Sequence, residues 1–352
     1  TRVIKLEENY RSTQVILKAA AGVVSENRNR KEKTLWTQNE EGAPIIYYRA
    51  EDENDEARSV CEFIVRHNQE EGVLFNNMAV LYRTNAQSRA MEEALRGSDI
   101  PYRLIGGFRF YERKEIKDIL AFVRVIINPA DSVSLRRIIN VPTRGIGKTS
   151  LAKVEKFSEE KNIILMEGLR QVSHSRVVAS GAKNKIISFL EIMDGLRSFY
   201  ENAALVDFFQ EVVERTGYAA MLKNEDTRES RDRMDTLNEL YTAIQQSEEK
   251  GETLQQFLDT TALVSDADSI DDSRGVLQMM TLHTCKGLEY DSVYIIGLED
   301  GLLPHASSMS DPEEYEEERR LCYVGITRAK KKLCVSNARM RRIYGSTFNY
   351  PP

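Results

Sequence analysis

The sequence has 352 residues, 41% of them hydrophobic and 30% charged, which is typical of a soluble globular protein with two or three domains. Apolar runs such as residues 293–296 are too short to cross a bilayer, and no signal-like N-terminus precedes them, so the sequence predicts a cytoplasmic protein. The net charge of −6 excludes a protein that is basic overall, but it leaves room for a local positive surface that binds nucleic acid.

Strand patterns alternate with helical patterns through the first hundred residues and cover residues 3–6, 45–48, 78–82 and 102–105. The first helix, over residues 15–24, has one apolar face, and Ser12 or Thr13 is placed to cap it. Strands separated by helices of this length predict a parallel sheet that is covered on both faces.

The pattern changes at Gly106 and Gly107, and residues 108–261 have an almost continuous helical period. An acidic, serine-rich stretch over 265–274 then predicts a flexible linker. Strand patterns return at the end of the sequence and cover residues 276–282, 292–296 and 333–336. We therefore predict the α/β fold class, with one parallel-sheet domain (1–108 plus 273–352) interrupted by an all-helical insertion domain (109–272).

The cysteines do not predict a metal centre. Cys61, Cys285, Cys322 and Cys334 form no CxxC pair, and the nearest histidine pairing is His283 with Cys285. Free buried thiols are the better interpretation, and we assign no metal ligand in this chain.

No phosphate-binding loop of the form GxxxxGK[ST] occurs in the sequence. The segment 144–150, RGIGKTS, ends like one, but Pro142 stands where the first glycine would be required. A turn of Gly145, Ile146 and Gly147 that opens a helix, with backbone amides able to hold a nucleic-acid phosphate, is the better interpretation. The alternative is a self-sufficient nucleotide hydrolase that uses this segment.

Ligands of open parallel sheets bind where the strands end, so polar loops after strands are candidate sites. The first such loop contains Tyr10, whose ring can stack on a base, and Arg11, whose guanidinium can bind phosphate oxygens. The alternative is that Tyr10 packs in the core and Arg11 pairs with Glu7 or Glu8.

The second loop, residues 281–291, is predicted as a strand–loop–helix turn. Gly287 allows a close backbone approach to a ligand, and Glu289 is an acceptor that can bind a ribose hydroxyl. His283 and Lys286 can meet phosphates. The alternative is an ordinary solvated turn.

A predicted helix over residues 313–329 buries one stripe and holds Arg328 stiffly near its end. Such an arginine suits the stabilisation of charge on a γ-phosphate supplied by a neighbouring domain. The alternative is a surface arginine paired with the acidic run upstream.

A fourth group is dispersed and consists of polar, basic and aromatic residues. Basic side chains with an interleaved aromatic suit single-stranded nucleic acid, where backbone charge and base stacking supply most of the affinity. Core or surface positions are the alternative for each member of the group, Arg83, Thr84, Asn85, His305 and Tyr344.

Together these stretches resemble the C-terminal half of the superfamily 1 DNA helicases of the UvrD, PcrA and Rep group. The match covers the whole chain and rests on the order and spacing of five motifs rather than on any one of them. The motifs are LEENYRST at 6–13, AVLYRTNAQSR at 79–89, FYERKEIKDI at 110–119, MTLHTCKGLEYD at 280–291 and RRLCYVGITRAKK at 319–331.

The resemblance implies a RecA-like sheet domain and an ATP site in which Arg11 and Arg328 reach the γ-phosphate. Tyr10 would stack near the adenine, and Glu289 would contact the ribose, with Gly287 in the same loop.

The resemblance also implies contacts with DNA. Single-stranded DNA would touch Asn85, His283, His305 and Tyr344. Duplex DNA would contact the turn of Gly145, Ile146, Gly147 and Lys148.

The resemblance further implies an ATP-dependent 3′–5′ DNA helicase of the bacterial cytosol and nucleoid, with repair or replication proteins as partners. The motifs that supply the phosphate-binding lysine and hold Mg²⁺ are absent, as is the first RecA-like domain that carries them. We therefore expect an excised half that by itself neither hydrolyses ATP nor unwinds DNA. The alternative is a non-catalytic DNA-binding or protein-interaction module with a helicase-like fold.

Overall fold

A computed structural model describes residues 7–28, 36–266, 275–343 and 346–349. The chain divides into two compact units, one formed by the described parts of Thr1–Phe110 and Ala267–Pro352 and the other by Tyr111–Asp266. The first boundary follows Phe110 rather than residue 108, because Phe110 is buried and its backbone N–H donates to Glu92 of the first unit. Three predicted features lie outside the described residues. They are the strand over 3–6, the greater part of the linker and the boundary at 272/273.

Six strands of the first unit form one sheet in the order β1-β6-β5-β2-β4-β3, and each neighbouring pair is parallel. Every residue of the central strand β2 is buried, as expected for a strand covered on both faces. The strands are β1 (Ile46–Ala50), β2 (Met78–Tyr82), β3 (Tyr102–Leu104), β4 (Leu277–Thr281), β5 (Tyr290–Ile295) and β6 (Ala329–Ala338), and a separate antiparallel hairpin joins β7 (Met340–Ile343) and β8 (Ser346–Asn349). The predicted α/β fold class with a parallel sheet is confirmed.

Helices cover both faces of the sheet. Those of the first unit are α1 (Gln14–Ser25), α2 (Glu53–Gln69), α3 (Ser88–Gly97) and α13 (Pro312–Ile326). Because side chains alternate along a strand, Val80 of β2 joins the core beneath α2 and α3, whereas Ala79 and Leu81 join the core beneath α1 and α13. The predicted side-chain cap of α1 is wrong: Thr13 occupies the cap position without a cap hydrogen bond, and the Ser12 hydroxyl donates to the carbonyl of Ala329, 2.6 Å away.

The second unit is helical throughout its named elements. They are α4 (Lys114–Ile127), α5 (Ser132–Ile138), α6 (Lys148–Lys161), α7 (Leu165–Ser173), α8 (Ser180–Tyr200), α9 (Leu205–Arg215), α10 (Tyr218–Glu225), α11 (Arg228–Glu249) and α12 (Leu254–Asp266). Helix α4 is buried on nearly all sides, which is typical of a central helix around which the others pack. Among the described residues of both units, every helix is too short or too polar to cross a membrane.

Candidate nucleotide and DNA sites

The first group of predicted site residues lies where strands begin, not where they end. Glu289 directly precedes β5 and Arg328 directly precedes β6, and these two strands are parallel neighbours. The N–H of Tyr290 donates to the carbonyl of Arg328 over 3.0 Å, which brings the two strand starts together. The expectation that every loaded loop lies at the carboxyl ends of the strands is therefore wrong for these residues. We call Arg11, Glu289, Thr327 and Arg328 the amino edge.

Arg11 reaches the amino edge from the loop before α1. Its Nε donates to Oε2 of Glu289 over 2.7 Å, and its Nη1 donates to the carbonyl of Thr327 over 3.1 Å. The Asn9 side chain fixes this loop, because its Oδ1 accepts the N–H groups of Arg11 and Ser12 over 2.8 and 2.9 Å. Arg11 thus pairs with Glu289, which lies 278 positions along the chain, rather than with Glu7 or Glu8.

Arg328 is half-buried and is held by backbone and hydroxyl oxygens. Its guanidinium donates to the carbonyls of Val324 (2.9 Å) and Leu288 (3.1 Å) and to the hydroxyl of Thr327 (3.1 Å). Burial and the neighbouring charge of Arg11 lower the pKa of Arg328. Two guanidinium groups therefore lie close together around Thr327, and an added anion would offset their mutual repulsion.

The helix that carries Arg328 ends earlier than predicted. Helix α13 ends at Ile326, Thr327 takes the cap position, and Ala329, the last residue of the predicted helix, is already the first residue of β6. Lys330, Lys331 and Lys332 therefore lie on a strand. The hydroxyl of Ser12 binds the backbone at Ala329 and so holds the start of that strand. Arg328 consequently sits in a two-residue connection rather than on a helix, and it is fixed by the carbonyls around it.

Glu289 is shared by two cations. Its Oε1 accepts from Lys330 Nζ over 2.9 Å and its Oε2 accepts from Arg11, and these two hydrogen bonds lower the pKa of the carboxyl. The preceding Gly287 has a φ of +93°, a conformation that side chains rarely adopt. The turn that presents Glu289 therefore needs its glycine for backbone reasons.

Tyr10 projects into solvent next to this site. Its side chain is 77% exposed, and its hydroxyl donates to Glu8. The alternative in which Tyr10 packs in the core is therefore wrong, and an exposed ring face is available for stacking.

The segment after β4 contains no helix, so the predicted strand–loop–helix turn is wrong. Eight residues connect Thr281 at the end of β4 to Tyr290 at the start of β5, and they form turns. Both strands are parallel to β2, so this short connection runs from one edge of the sheet to the other. It is shorter than the dozen or so residues that a helical crossover needs.

The second group of predicted site residues lies where strands end, and we call Arg83, Asn85, His283 and His305 the carboxyl edge. Arg83 and Asn85 follow β2, His283 follows β4, and His305 lies in the loop after β5. The N–H of Leu282 donates to the carbonyl of Tyr82 over 2.8 Å, which joins the ends of β4 and β2. His283 is exposed, and Asn85 and His305 are half-exposed. Tyr344, the remaining predicted single-strand contact, lies outside the described residues.

Arg83 differs from its neighbours because it is buried. Its Nη2 lies 2.7 Å from Oε1 of Glu318 and its Nε lies 2.8 Å from Oε2, a bidentate pair. It therefore points at helix α13 rather than at solvent, as in the alternative of a core position. Sequence reasoning missed Glu318 because 235 positions separate it from Arg83.

In the helical unit the predicted glycine turn opens α6. Gly145 has a φ of +73°, Ile146 is buried, and Gly147 is the cap residue before Lys148. The Asn140 side chain accepts the N–H of Ile146 over 3.2 Å. The element before the turn is helix α5 rather than the strand that precedes a phosphate-binding loop, so this structure does not favour the self-sufficient hydrolase.

All four cysteines are buried. Burial raises the pKa of the Cys285 thiol, which lies beneath the amino edge, to about 11. Within the part of the chain that the structure describes, no group of three or more His, Cys, Asp or Glu side chains has a metal-binding arrangement.

Residues 4–340 match the family model of the UvrD-like helicase C-terminal domain. The chain belongs to this family. The predicted resemblance is thereby confirmed.

Relatives of this UvrD-like domain are longer proteins. The chain is 41% identical over 353 residues to the ATP-dependent DNA helicase PcrA of Bacillus subtilis, covering 98% of the chain and 48% of the relative. It is 43% identical over 357 residues to PcrA of Staphylococcus epidermidis, covering 100% of the chain and 49% of the relative. It is 40% identical over 352 residues to PcrA of Leuconostoc citreum, covering 98% of the chain and 47% of the relative. The chain thus spans about half the length of the curated relatives it matches.

Proposed function

We propose that this chain is the C-terminal part of an ATP-dependent 3′–5′ DNA helicase and forms the arginine-bearing wall of its ATP cleft. The observation that carries the proposal is the convergence of Arg11 and Arg328 on Thr327 at the amino edge. Membership of the UvrD-like family and the named activity of the PcrA relatives support it. The other wall would be a first RecA-like domain, which supplies the phosphate-binding loop and the Mg²⁺ site.

In this cleft Arg11 and Arg328 would bind the γ-phosphate of ATP. The Arg11–Glu289 pair is partly exposed, and exposed pairs contribute about 0–1 kcal/mol, so transfer of Arg11 to a phosphate costs little. Glu289 would then accept a ribose hydroxyl, and Tyr10 would stack on the adenine. The negative charge of the γ-phosphate would offset the repulsion between the two guanidinium groups. When the phosphate leaves after hydrolysis, this repulsion would return.

DNA would bind at the opposite edge of the same sheet. Asn85, His283 and His305 converge there from three neighbouring strand ends, and Tyr344 would complete the set. Closing and opening of the ATP cleft would shift these residues relative to the partner domain. The shift would move the enzyme along one DNA strand.

The helical unit would hold the duplex ahead of the single strand. The turn of Gly145, Ile146 and Gly147 leads into α6, whose first backbone N–H groups suit a phosphate, and exposed Lys148 adds a positive charge. We place the enzyme in DNA repair or replication, with proteins of those processes as partners.

The decisive experiment uses a full-length enzyme that contains this chain. Arg328→Ala should lower DNA-stimulated ATP hydrolysis by about 10³-fold, since an arginine acting on the γ-phosphate contributes at least this much, while nucleotide affinity changes far less. Arg320→Ala is the matched control, because Arg320 lies on α13 and pairs with Glu316 and Glu317. Retained turnover in Arg328→Ala would contradict the role of Arg328.

Two further outcomes separate the alternatives. A full-length protein that binds DNA in a salt-sensitive manner but never hydrolyses ATP would be a non-catalytic module. ATP hydrolysis by this chain alone, abolished in Lys148→Ala, would identify a self-sufficient hydrolase.

A further inference from the structure

A buried carboxylate connects helix α13 to the carboxyl edge. Glu318 accepts from Arg83 over 2.7, 2.8 and 3.1 Å, and its Oε2 also accepts the backbone N–H of His305 over 3.1 Å. Arg83 follows β2 and His305 lies in the loop after β5, so one side chain holds two of the strand ends at which DNA is proposed to bind. Both members of the ion pair are buried, at 9% and 6% side-chain exposure.

The same helix leads directly to the amino edge. From Glu318 to Ile326 α13 rises about 12 Å, at 1.5 Å per residue, and Arg328 follows two positions later. Arg328 is tied back to the helix through the carbonyl of Val324 and to the cap residue Thr327. A shift of the helix at Glu318 would therefore move the arginine as well.

A second connection runs beside the helix and packs against it. A side chain at Gly325 would collide with Leu282, at 2.3 Å, so the helix backbone lies directly against the segment after β4. That segment begins at the carboxyl edge, where Leu282 binds the carbonyl of Tyr82, and it supplies the Leu288 carbonyl that accepts from Arg328. Helix α13 and the segment after β4 therefore both connect the carboxyl edge to the amino edge.

A buried ion pair is by itself weak evidence of a contribution to stability. Buried pairs can often be replaced by apolar side chains of similar volume without loss of stability, because two desolvated charges contribute little net free energy. What the apolar replacement cannot supply is an acceptor for the N–H of His305 and a fixed direction for the end of β2.

We propose that Glu318 is a positioning residue, which transmits the DNA-bound state of the carboxyl edge through α13 to Arg328. DNA that seats against Asn85 and His305 would fix the strand ends that Glu318 holds, and the helix would set Arg328 for the γ-phosphate. The proposal rests on the proposed function, because it assumes that ATP and DNA bind at these two edges. It adds one residue that touches neither ligand.

The test uses the full-length enzyme that contains this chain and compares three variants. Glu318→Gln keeps the shape and removes the charge. The double variant Arg83→Met/Glu318→Leu removes both charges, so that no buried charge is left unpaired and the protein should remain folded. Glu317→Gln is the matched control, because Glu317 is the adjacent residue, is 71% exposed and pairs with Arg320.

The measurement is the ratio of ATP hydrolysis with saturating single-stranded DNA to hydrolysis without DNA. We expect the ratio to fall at least tenfold in Glu318→Gln and in the double variant, corresponding to a coupling free energy of typical size, and to stay at the wild-type value in Glu317→Gln. The change in DNA affinity that a non-hydrolysable ATP analogue produces is a coupling of binding, and its size should fall in the same two variants.

An unchanged ratio in the folded double variant would overturn the proposal, and so would an equal fall of both rates, which a purely structural role predicts. Should Glu318→Gln fail to fold, the double variant alone decides. A wild-type enzyme without DNA-stimulated hydrolysis would instead contradict the proposed function.

Discussion

The two edges of the sheet are held by ion pairs of opposite character. At the amino edge the Arg11 and Glu289 side chains are 28% and 44% exposed, whereas at the carboxyl edge those of Arg83 and Glu318 are 9% and 6% exposed. An exposed pair exchanges partners at little cost, while a buried pair resists separation because each charge alone would be desolvated. The edge proposed to capture and release a phosphate is thus built from exchangeable contacts, and the edge proposed to bind DNA is built from fixed ones.

The largest effect should come from breaking the buried pair on one side only. Arg83→Met leaves Glu318 buried without its cation and should lower the free energy of unfolding by about 3–5 kcal/mol. Arg11→Met at the other edge should change it by less than about 1 kcal/mol. The measurement is urea unfolding followed by the fluorescence of Trp36, the one tryptophan in the sequence, which lies in the α/β unit. Equal effects would contradict the contrast between the edges.

A smaller effect should appear as a dependence on pH. Burial opposes ionisation of Glu318, but the hydrogen bonds and charge of Arg83 outweigh it, so the pKa of the carboxyl is lowered. A carboxyl with a lowered pKa stabilises the folded state above its unfolded pKa of about 4.3, and that contribution is lost as the pH falls below it.

Between about pH 5 and pH 3 the free energy of unfolding of the wild-type chain should therefore fall more steeply than that of Arg83→Met/Glu318→Leu, which has no carboxyl at this site. Parallel curves would show that the pair does not titrate with folding. Glu317→Gln, whose carboxyl is exposed, should follow the wild-type curve and is the control.

The smallest effect should come from Glu289→Gln at the amino edge. It removes the negative charge shared by Arg11 and Lys330 and should lower the free energy of unfolding by less than about 1 kcal/mol, because the site is partly exposed. The loss should shrink further in about 1 M salt, where the Debye length is near 3 Å. A loss comparable to that of Arg83→Met, or one that salt leaves unchanged, would show that the amino edge is as rigid as the carboxyl edge.

Local pattern was sufficient for the alternation of strands and helices, for the helical unit and for the family. The apolar run 78–82 predicts a strand covered on both faces, and β2 occupies those residues with every side chain buried. The glycines at 145 and 147 predict a turn that opens a helix, and α6 begins at Lys148. Such features depend on side-chain periodicity and on the φ angles that glycine allows, which neighbouring residues determine.

Local sequence pattern did not predict at which edge of the sheet the site residues lie. Polar residues near strands predicted ligands at the carboxyl ends, but Glu289 and Arg328 lie at strand starts, because the connection after β4 and helix α13 both return the chain to the amino edge. A sequence motif identifies a loop without showing to which edge it returns.

The sequence by itself determined the parallel α/β character, the helical unit, the UvrD-like family and the arginines of the amino edge. Only the tertiary structure decided that Arg11 meets Glu289 across 278 positions and that Arg83 meets Glu318 across 235. The physical reason is that periodicity records whether a side chain is buried, while its partner depends on strand order and register. Those are set by the packing of the whole sheet, and they separate an exchangeable edge from a fixed one.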